Sequence, residues 1–207
     1  MRAIGVCLIY MQSLSEDPSS ENVLVRLACQ GDGLAWEALM RRHQEAVFRL
    51  AYLLLGDSDE AEDVTQDTFL RALHALDRFD PSRPLRPWLL RIAANQAHNW
   101  RRSAGRYMSA LQRFFLSEVH TGASIENKSI QNMEAEALWR AVRRLSEDDQ
   151  QVIYLRYFLD LPVDETAAAL NVAAGTVKSR LSRALGRLQG LIQKDFPQLV
   201  EGWENHE

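Results

Sequence analysis

The sequence predicts an all-α protein of two small helical domains joined by a flexible linker, the second containing a helix-turn-helix. Three observations carry this. Strand signals are scarce, while alanine, leucine, arginine and glutamate recur at helical spacing. Ten glycines and six prolines in 207 residues are too few for a disordered or fibrous chain. The periodicity also weakens from Ser103 to about Asn132, so residues 107–132 read as a linker between blocks over 22–106 and 133–194. Residues 1–21 read as a flexible extension and 195–207 as a tail.

In the first block, Asn22–Gly31 reads as a short helix. Leu34–Leu55 reads as a long one with Trp36, Leu39, Val47, Leu50 and Leu54 turned inward. Gly56 and Asp57 end it, and Ser58 or Asp59 caps a third helix with body AEDVTQDTFLRALHAL. Residues 80–84, DPSRP, form a loop, and Pro87 suits the first turn of a fourth helix running through Arg102. RYMSALQRFFL (106–116) has the pattern of a separate amphipathic helix. In the second block Glu134–Leu145 is one helix. Ser146, with Asp149 three residues on, caps another through Phe158. Residues 163–188 then read as two helices around a sharp turn at Asn171, a residue that tolerates left-handed backbone. Val177, Leu181, Ala184 and Leu188 share one side of the last helix, with bases and hydroxyls on the others.

The formal net charge of −4 conceals segregation. Residues 81–117 hold seven arginines and no acid or lysine, residues 171–194 hold five bases and no acid, and residues 57–67 hold six carboxylates and no base. Two cationic blocks fit contacts with phosphate, and the anionic block fits a basic partner. Cys7 and Cys29 show neither metal-ligand nor disulfide spacing, as expected of a reducing cytoplasm. The apolar run at residues 3–11 lacks a cleavage site and is too short for a bilayer, so no membrane insertion is expected. Met11 is an alternative first residue. No catalytic residues, metal ligands or cofactor-binding motif are expected, since no nucleophile–base pair, paired metal carboxylates or Gly-rich phosphate loop occurs at useful spacing.

AEDVTQDTFLRAL (61–73), PWLLRIAANQAHNWRR (87–102) and GTVKSRLSRAL (175–185) resemble, in order and separation, three segments of bacterial sigma factors of the extracytoplasmic-function subfamily. The resemblance spans roughly residues 22–192. It implies an RNA polymerase sigma factor, not an enzyme, that takes core RNA polymerase to promoter DNA, with an anti-sigma factor as a further partner. By resemblance, 22–106 is domain 2 and 133–194 is domain 4. Glu62, Asp63, Val64, Gln66, Asp67 and Phe69 would meet the polymerase.

Phe79, Ser82, Arg83, Trp88, Arg91, Asn95, Asn99 and Arg102 would take the −10 strand: an aromatic to stack, amides for base edges and arginines for phosphates. Thr176, Lys178, Ser179, Arg180, Arg183 and Arg187 would meet the −35 duplex in the major groove, with Thr176 and free amides at the helix start on a phosphate. The acidic residues Glu118, Glu126, Glu134 and Glu136 would pass along the polymerase's RNA path. The chain departs from the family in carrying Asn99 where an acid is usual, Asn171 in place of the turn glycine, and Ala173 in place of a frequent proline. A stand-alone helix-turn-helix transcriptional regulator is the alternative, although such a protein has no need of the acidic helix.

Overall fold

The computed structural model describes the backbone of residues 18–114 and 130–195, and the side chains of 21–103 and 137–195. Cys7, the N-terminal extension up to residue 17, the linker from 115 to 129 and the tail from 196 lie outside it, as do the side chains of Glu118, Glu126, Glu134 and Glu136. The described residues are helical, without strands: α1 (Pro18–Cys29), α2 (Gly33–Leu55), α3 (Ser58–His74), a 3₁₀ turn (Leu76–Arg78), α4 (Leu85–Phe114), α5 (Ile130–Arg143), α6 (Glu147–Ile153) running into a π-helical turn (Tyr154–Phe158), α7 (Val163–Leu170) and α8 (Ala174–Asp195).

Local chemistry sets the boundaries. Asp32 caps α2, its Oδ1 accepting from the Leu34 and Ala35 amides at 2.9 and 3.0 Å. Gly56 stops α2 in a left-handed conformation (φ 82°), its amide donating to the Tyr52 carbonyl at 2.8 Å. The guanidinium of Arg143 lies directly over this glycine. The cap of α3 is Asp57, not Ser58 or Asp59. The backbone is extended there (φ −126°, ψ 135°), and Oδ1 folds back to accept from the Asp59 and Glu60 amides at 3.0 Å each.

α4 continues to Phe114, so the amphipathic 106–114 stretch extends it rather than forming its own helix. Gly105 does not stop it, because one helical glycine costs only about 1 kcal/mol relative to alanine. Ser146 caps α6 as expected, its Oγ accepting from the Asp149 amide at 3.3 Å. The expected α-helix to Phe158 instead widens at Tyr154, where the Leu159 amide bonds five residues back to the Tyr154 carbonyl at 3.0 Å. Asp160 (φ 51°) then reverses the chain. Asn171 adopts φ 55°, ψ 46°, as the turn requires.

α1 to α4 pack around Leu39, Leu50, Leu89 and Ala93, all 0 % exposed, with Trp36 edge-on to Phe69 at 6.2 Å. The inward face read for α2 is all buried. Glu21 ties α1 to α2 through Arg42 and His43, each at 3.4 Å, and His43 with Arg42 holds the Glu21 carboxyl below its usual range. The Cys29 thiol donates to the Leu76 carbonyl at 3.5 Å, and burial raises its pKa.

α5 to α8 form the second group, centred on Tyr154 (0 % exposed), which stacks on Trp139 at 5.7 Å and meets Phe158 edge-on at 5.6 Å. The groups meet where α7 lies on the N-terminal half of α4. Beside this contact Arg86 donates to the Leu159 carbonyl at 2.9 Å, and Glu147, at the start of α6, pairs with His98 and Arg101 of α4 at 3.0 and 3.4 Å.

Candidate nucleic-acid interface and acidic docking surface

The first cationic surface is built where the 3₁₀ turn hands over to α4. Asp80 shapes the loop: its Oδ1 accepts from the Ser82 hydroxyl at 2.7 Å and the Ser82 amide at 3.0 Å, and Arg83 lies at 3.4 Å. These contacts, the Ser82 hydroxyl first, hold the Asp80 carboxyl below the ordinary range. Phe79 is buried against Trp88, ring centroids 4.7 Å apart. Packing on Phe79 leaves Trp88 half-buried rather than lost to the core, and both rings border a groove with Arg78, Arg83 and Arg91.

Across that groove stand Asp164 and Glu165 of α7. Arg91 reaches the same element, donating to the Asn171 Oδ1 at 3.3 Å. Further along α4, Asn95, Asn99 and Arg102 are exposed. Seven of the eight predicted residues thus line the groove or the exposed helix beyond it, and Ser82 supports its loop. Arg78 lines the same groove and escaped the sequence reading. The arginine block was legible, but the turn that brings Arg78 beside Trp88 was not.

The second cationic surface is α8. Val177 and Ala184 are fully buried and Leu181 and Leu188 half-buried, so the apolar side read from the sequence is the packed side. Lys178, Ser179 and Arg183 are exposed. Arg183 Nε donates to the Ser179 carbonyl at 3.2 Å, and the Ser179 hydroxyl to the Thr176 carbonyl at 3.1 Å. The Thr176 amide is not among the free amides of the helix start: it donates to the Ala173 carbonyl at 2.9 Å, closing the first turn. Only its side chain remains to offer.

Two of the arginines already have acidic partners. Arg180 lies 3.6 Å from Asp148, and Arg187 forks onto Asp149 with Nε–Oδ2 2.7 Å and Nη2–Oδ1 2.6 Å. The Arg187 fork, assisted by the Ser146 side chain, holds the Asp149 carboxyl below its usual range despite burial. A depressed carboxyl contributes stability that is present above its unfolded value of about 3.9 and lost as pH falls through the lower folded value. We therefore expect thermal melts to lose stability on acidification below about pH 4, and Asp149→Asn to flatten that limb of the profile.

The acidic surface is the outer side of α3. Glu62, Asp63, Gln66 and Asp67 are exposed, and no described residue forms an ion pair with the three acids. Val64 is a correction. At 1 % exposed it packs inward with Ala61 and Thr68, because its place in the helical repeat is on the core side, and it offers no surface to a partner. Phe69, 8 % exposed, forms the floor of a groove between α2 and α3 with Trp36, Met40, Phe48, Leu70 and Leu73. Leu70 and Leu73 are 49 and 45 % exposed, an apolar rim beside the acids. These two leucines were missed, although their i, i+3 spacing after Gln66 was there to read.

Among the described residues, no cluster of His, Cys, Asp or Glu could hold a metal, and no helix is long and apolar enough to cross a membrane.

Comparison with known proteins gives this geometry a family. Residues 39–107 match the profile of sigma-70 region 2, and residues 135–188 that of sigma-70 region 4. The chain is 31% identical over 180 residues to the RNA polymerase sigma factor NccH of Alcaligenes xylosoxydans xylosoxydans, covering 86% of this chain and 97% of NccH. It is 30% identical over 178 residues to the RNA polymerase sigma-H factor of Pseudomonas aeruginosa, covering 82% and 92%. Among solved structures, CnrH in complex with the cytosolic domain of CnrY superposes with TM-score 0.63 at 28% identity, over 84% of this chain and 98% of CnrH. The sigma factor RpoE in complex with the anti-sigma factor NepR, from Bartonella quintana, superposes with TM-score 0.58 at 28% identity, over 77% and 97%. The α3, α4 and α8 surfaces fall inside the two matched regions, and the chain belongs to the sigma-70 family of RNA polymerase sigma factors, in its extracytoplasmic-function branch, whose role is to direct the polymerase to promoters.

Proposed function

We propose that this sigma factor divides promoter selection among its three surfaces and catalyses nothing itself, phosphodiester synthesis belonging to the core enzyme. In this reading residues 22–106 form domain 2 and 133–194 domain 4, acting in the cytoplasm. Glu62, Asp63, Gln66 and Asp67 surround an apolar anchor of Phe69, Leu70 and Leu73 for a basic helical element of the polymerase, the arrangement in which buried contacts give affinity and rim charges give orientation.

Phe79 and Trp88 offer aromatic faces to an expelled −10 base. Arg83, Arg91 and Arg102 hold its strand, Asn95 and Asn99 read edges, and Ser82 keeps the loop in shape. Asn99 replaces a usual acid, so any step needing a carboxylate there is carried otherwise or omitted. Lys178, Arg180 and Arg183, with Thr176 and Ser179, meet the −35 duplex. Because Leu159 and Asn171, before and after α7, hold Arg86 and Arg91, the two halves must part before the −10 strand reaches these arginines. CnrH and RpoE have each been solved bound to another protein, RpoE's being an anti-sigma factor, and a restraining protein of that kind is proposed here.

The observation that carries the reading is the exposed acidic and apolar surface of α3 on the same chain as two arginine-bearing surfaces. A stand-alone regulator has no use for it. The test is transcription in vitro from a random promoter library by core polymerase with and without the protein, mapping start sites. We expect start sites sharing two upstream elements only when both are present. Tight, specific binding of the free protein to the same DNA would favour the stand-alone regulator instead.

A further inference from the structure

We propose that Arg187, though it belongs to the basic row of the recognition helix, does not touch DNA. It and Asp149 are positioning residues that set how α8 is presented to the −35 duplex. The inference rests on the promoter reading above and goes beyond it, because it divides the cations of α8 into readers and a clamp.

Asp149 is 3 % exposed, in the first turn of α6, with its amide held by the Ser146 hydroxyl oxygen at 3.3 Å. A buried carboxylate is tolerable only when paired, and Arg187 provides the pair, two parallel N–H···O bonds at 2.6 and 2.7 Å from a residue 38 positions away. If Arg187 turned to a phosphate, it would strand Asp149 in the domain interior. It would thus exchange one charge-assisted fork for another and leave an unpaired charge behind.

Arg180 is different. Its partner Asp148 is 69% exposed and stands 3.6 Å away, so water can replace Arg180 when DNA arrives. The clamp also lies where α8 needs one. Gly186 and Gly190 flank Arg187 with nothing within 4 Å of where a Cβ would be, and of the side chains between them Leu188 alone packs inward. The buried anchors of α8 are Val177, Ala184 and Ile192. Between the last two, the fork fixes the rotation of the helix about its axis, and with it the direction in which Lys178, Ser179 and Arg183 point.

The test uses holoenzyme and a fluorescein-labelled duplex covering the upstream element of a mapped promoter, read by anisotropy across a salt series. Arg187→Met is expected to weaken binding about tenfold or more by releasing the clamp. The double variant Asp149→Arg with Arg187→Asp rebuilds the pair in reverse. We expect it to return to within about threefold of wild type with an unchanged slope of log K against log salt. If Arg187 were a phosphate contact, the reversed pair would stay weak and its slope would fall by about 0.9, and that result overturns the proposal.

If the reversed pair fails to fold by circular dichroism, Asp149→Asn with Arg187→Gln makes the same distinction. A neutral amide pair that binds near wild type with an unchanged slope supports the clamp, and one that stays weak with a lower slope overturns it. A wild-type holoenzyme indifferent to the upstream duplex removes the promoter reading and this one together. Wild-type binding with both paired variants defective removes this one alone.

Discussion

Reversing Glu62, Asp63 and Asp67 to lysine together is expected to weaken association with core polymerase by about 100-fold or more, because rim charges that oriented a basic partner then repel it. Folding should be untouched. The three side chains are exposed, the Asp57 cap and the acids Asp59 and Glu60 stay at the start of α3, and the core residues Ala61, Val64 and Thr68 are unchanged. A fluorescence competition assay against wild type measures the effect, and adding salt should weaken the wild-type complex more than the variant's. Affinity within threefold of wild type, with normal melting, would remove α3 from the interface. Replacing Leu70 and Leu73 by alanine separates the two components of the surface: it should weaken binding with little change in salt dependence.

Tyr154→Ala is expected to destabilise the second half by about 3–5 kcal/mol, as large aromatic truncations in cores do. The ring is wholly buried, between Trp139 and Phe158 at the start of the π-helical turn. For a domain of this size such a loss approaches total stability, so −35 binding should fail while the α1–α4 half stays folded. Chemical denaturation followed by fluorescence, with Trp36, Trp88, Trp100 and Trp203 replaced by phenylalanine so that Trp139 alone reports, checks it. A loss below about 1 kcal/mol would mean that the aromatic cluster does not centre this core. Tyr154→Phe should cost little: the hydroxyl's contact with Gln150 Oε1 is long at 3.5 Å. Burial also raises its pKa to about 12.

How far the sequence went is clearest at Asn171. A left-handed residue between two short amphipathic stretches is a local statement, and the structure places it at φ 55°. The inward faces of α2 and α8 were legible for a similar reason, since helical periodicity needs no tertiary knowledge. Val64 shows where borrowing from a motif misleads. The resemblance marks the segment as a docking helix without saying which side faces out, whereas Ala61, Val64 and Thr68 at i, i+3 and i+7 already drew the buried stripe.

Other features had no local signal. The extra residue in the turn at Tyr154 follows from packing of Tyr154 and Phe158 on Trp139, and the partner of Arg187 lies 38 residues upstream among three consecutive acids, of which only one is buried. Glu147 meeting His98 and Arg101 likewise depends on how two domains settle on each other.

The glycine that stops α2 has an additional tie. A methyl group at position 56 would stand 1.7 Å from Nη2 of Arg143, so even a residue content with left-handed backbone would evict that cation. Beside it, Arg101 reaches the Leu54 carbonyl at 3.5 Å. The carbonyl end of α2, partially negative by virtue of its aligned peptide dipoles, therefore has two arginines beside it. If the halves part as proposed, Arg143 would leave this end, and the ease of that motion would depend partly on how well water replaces the cation.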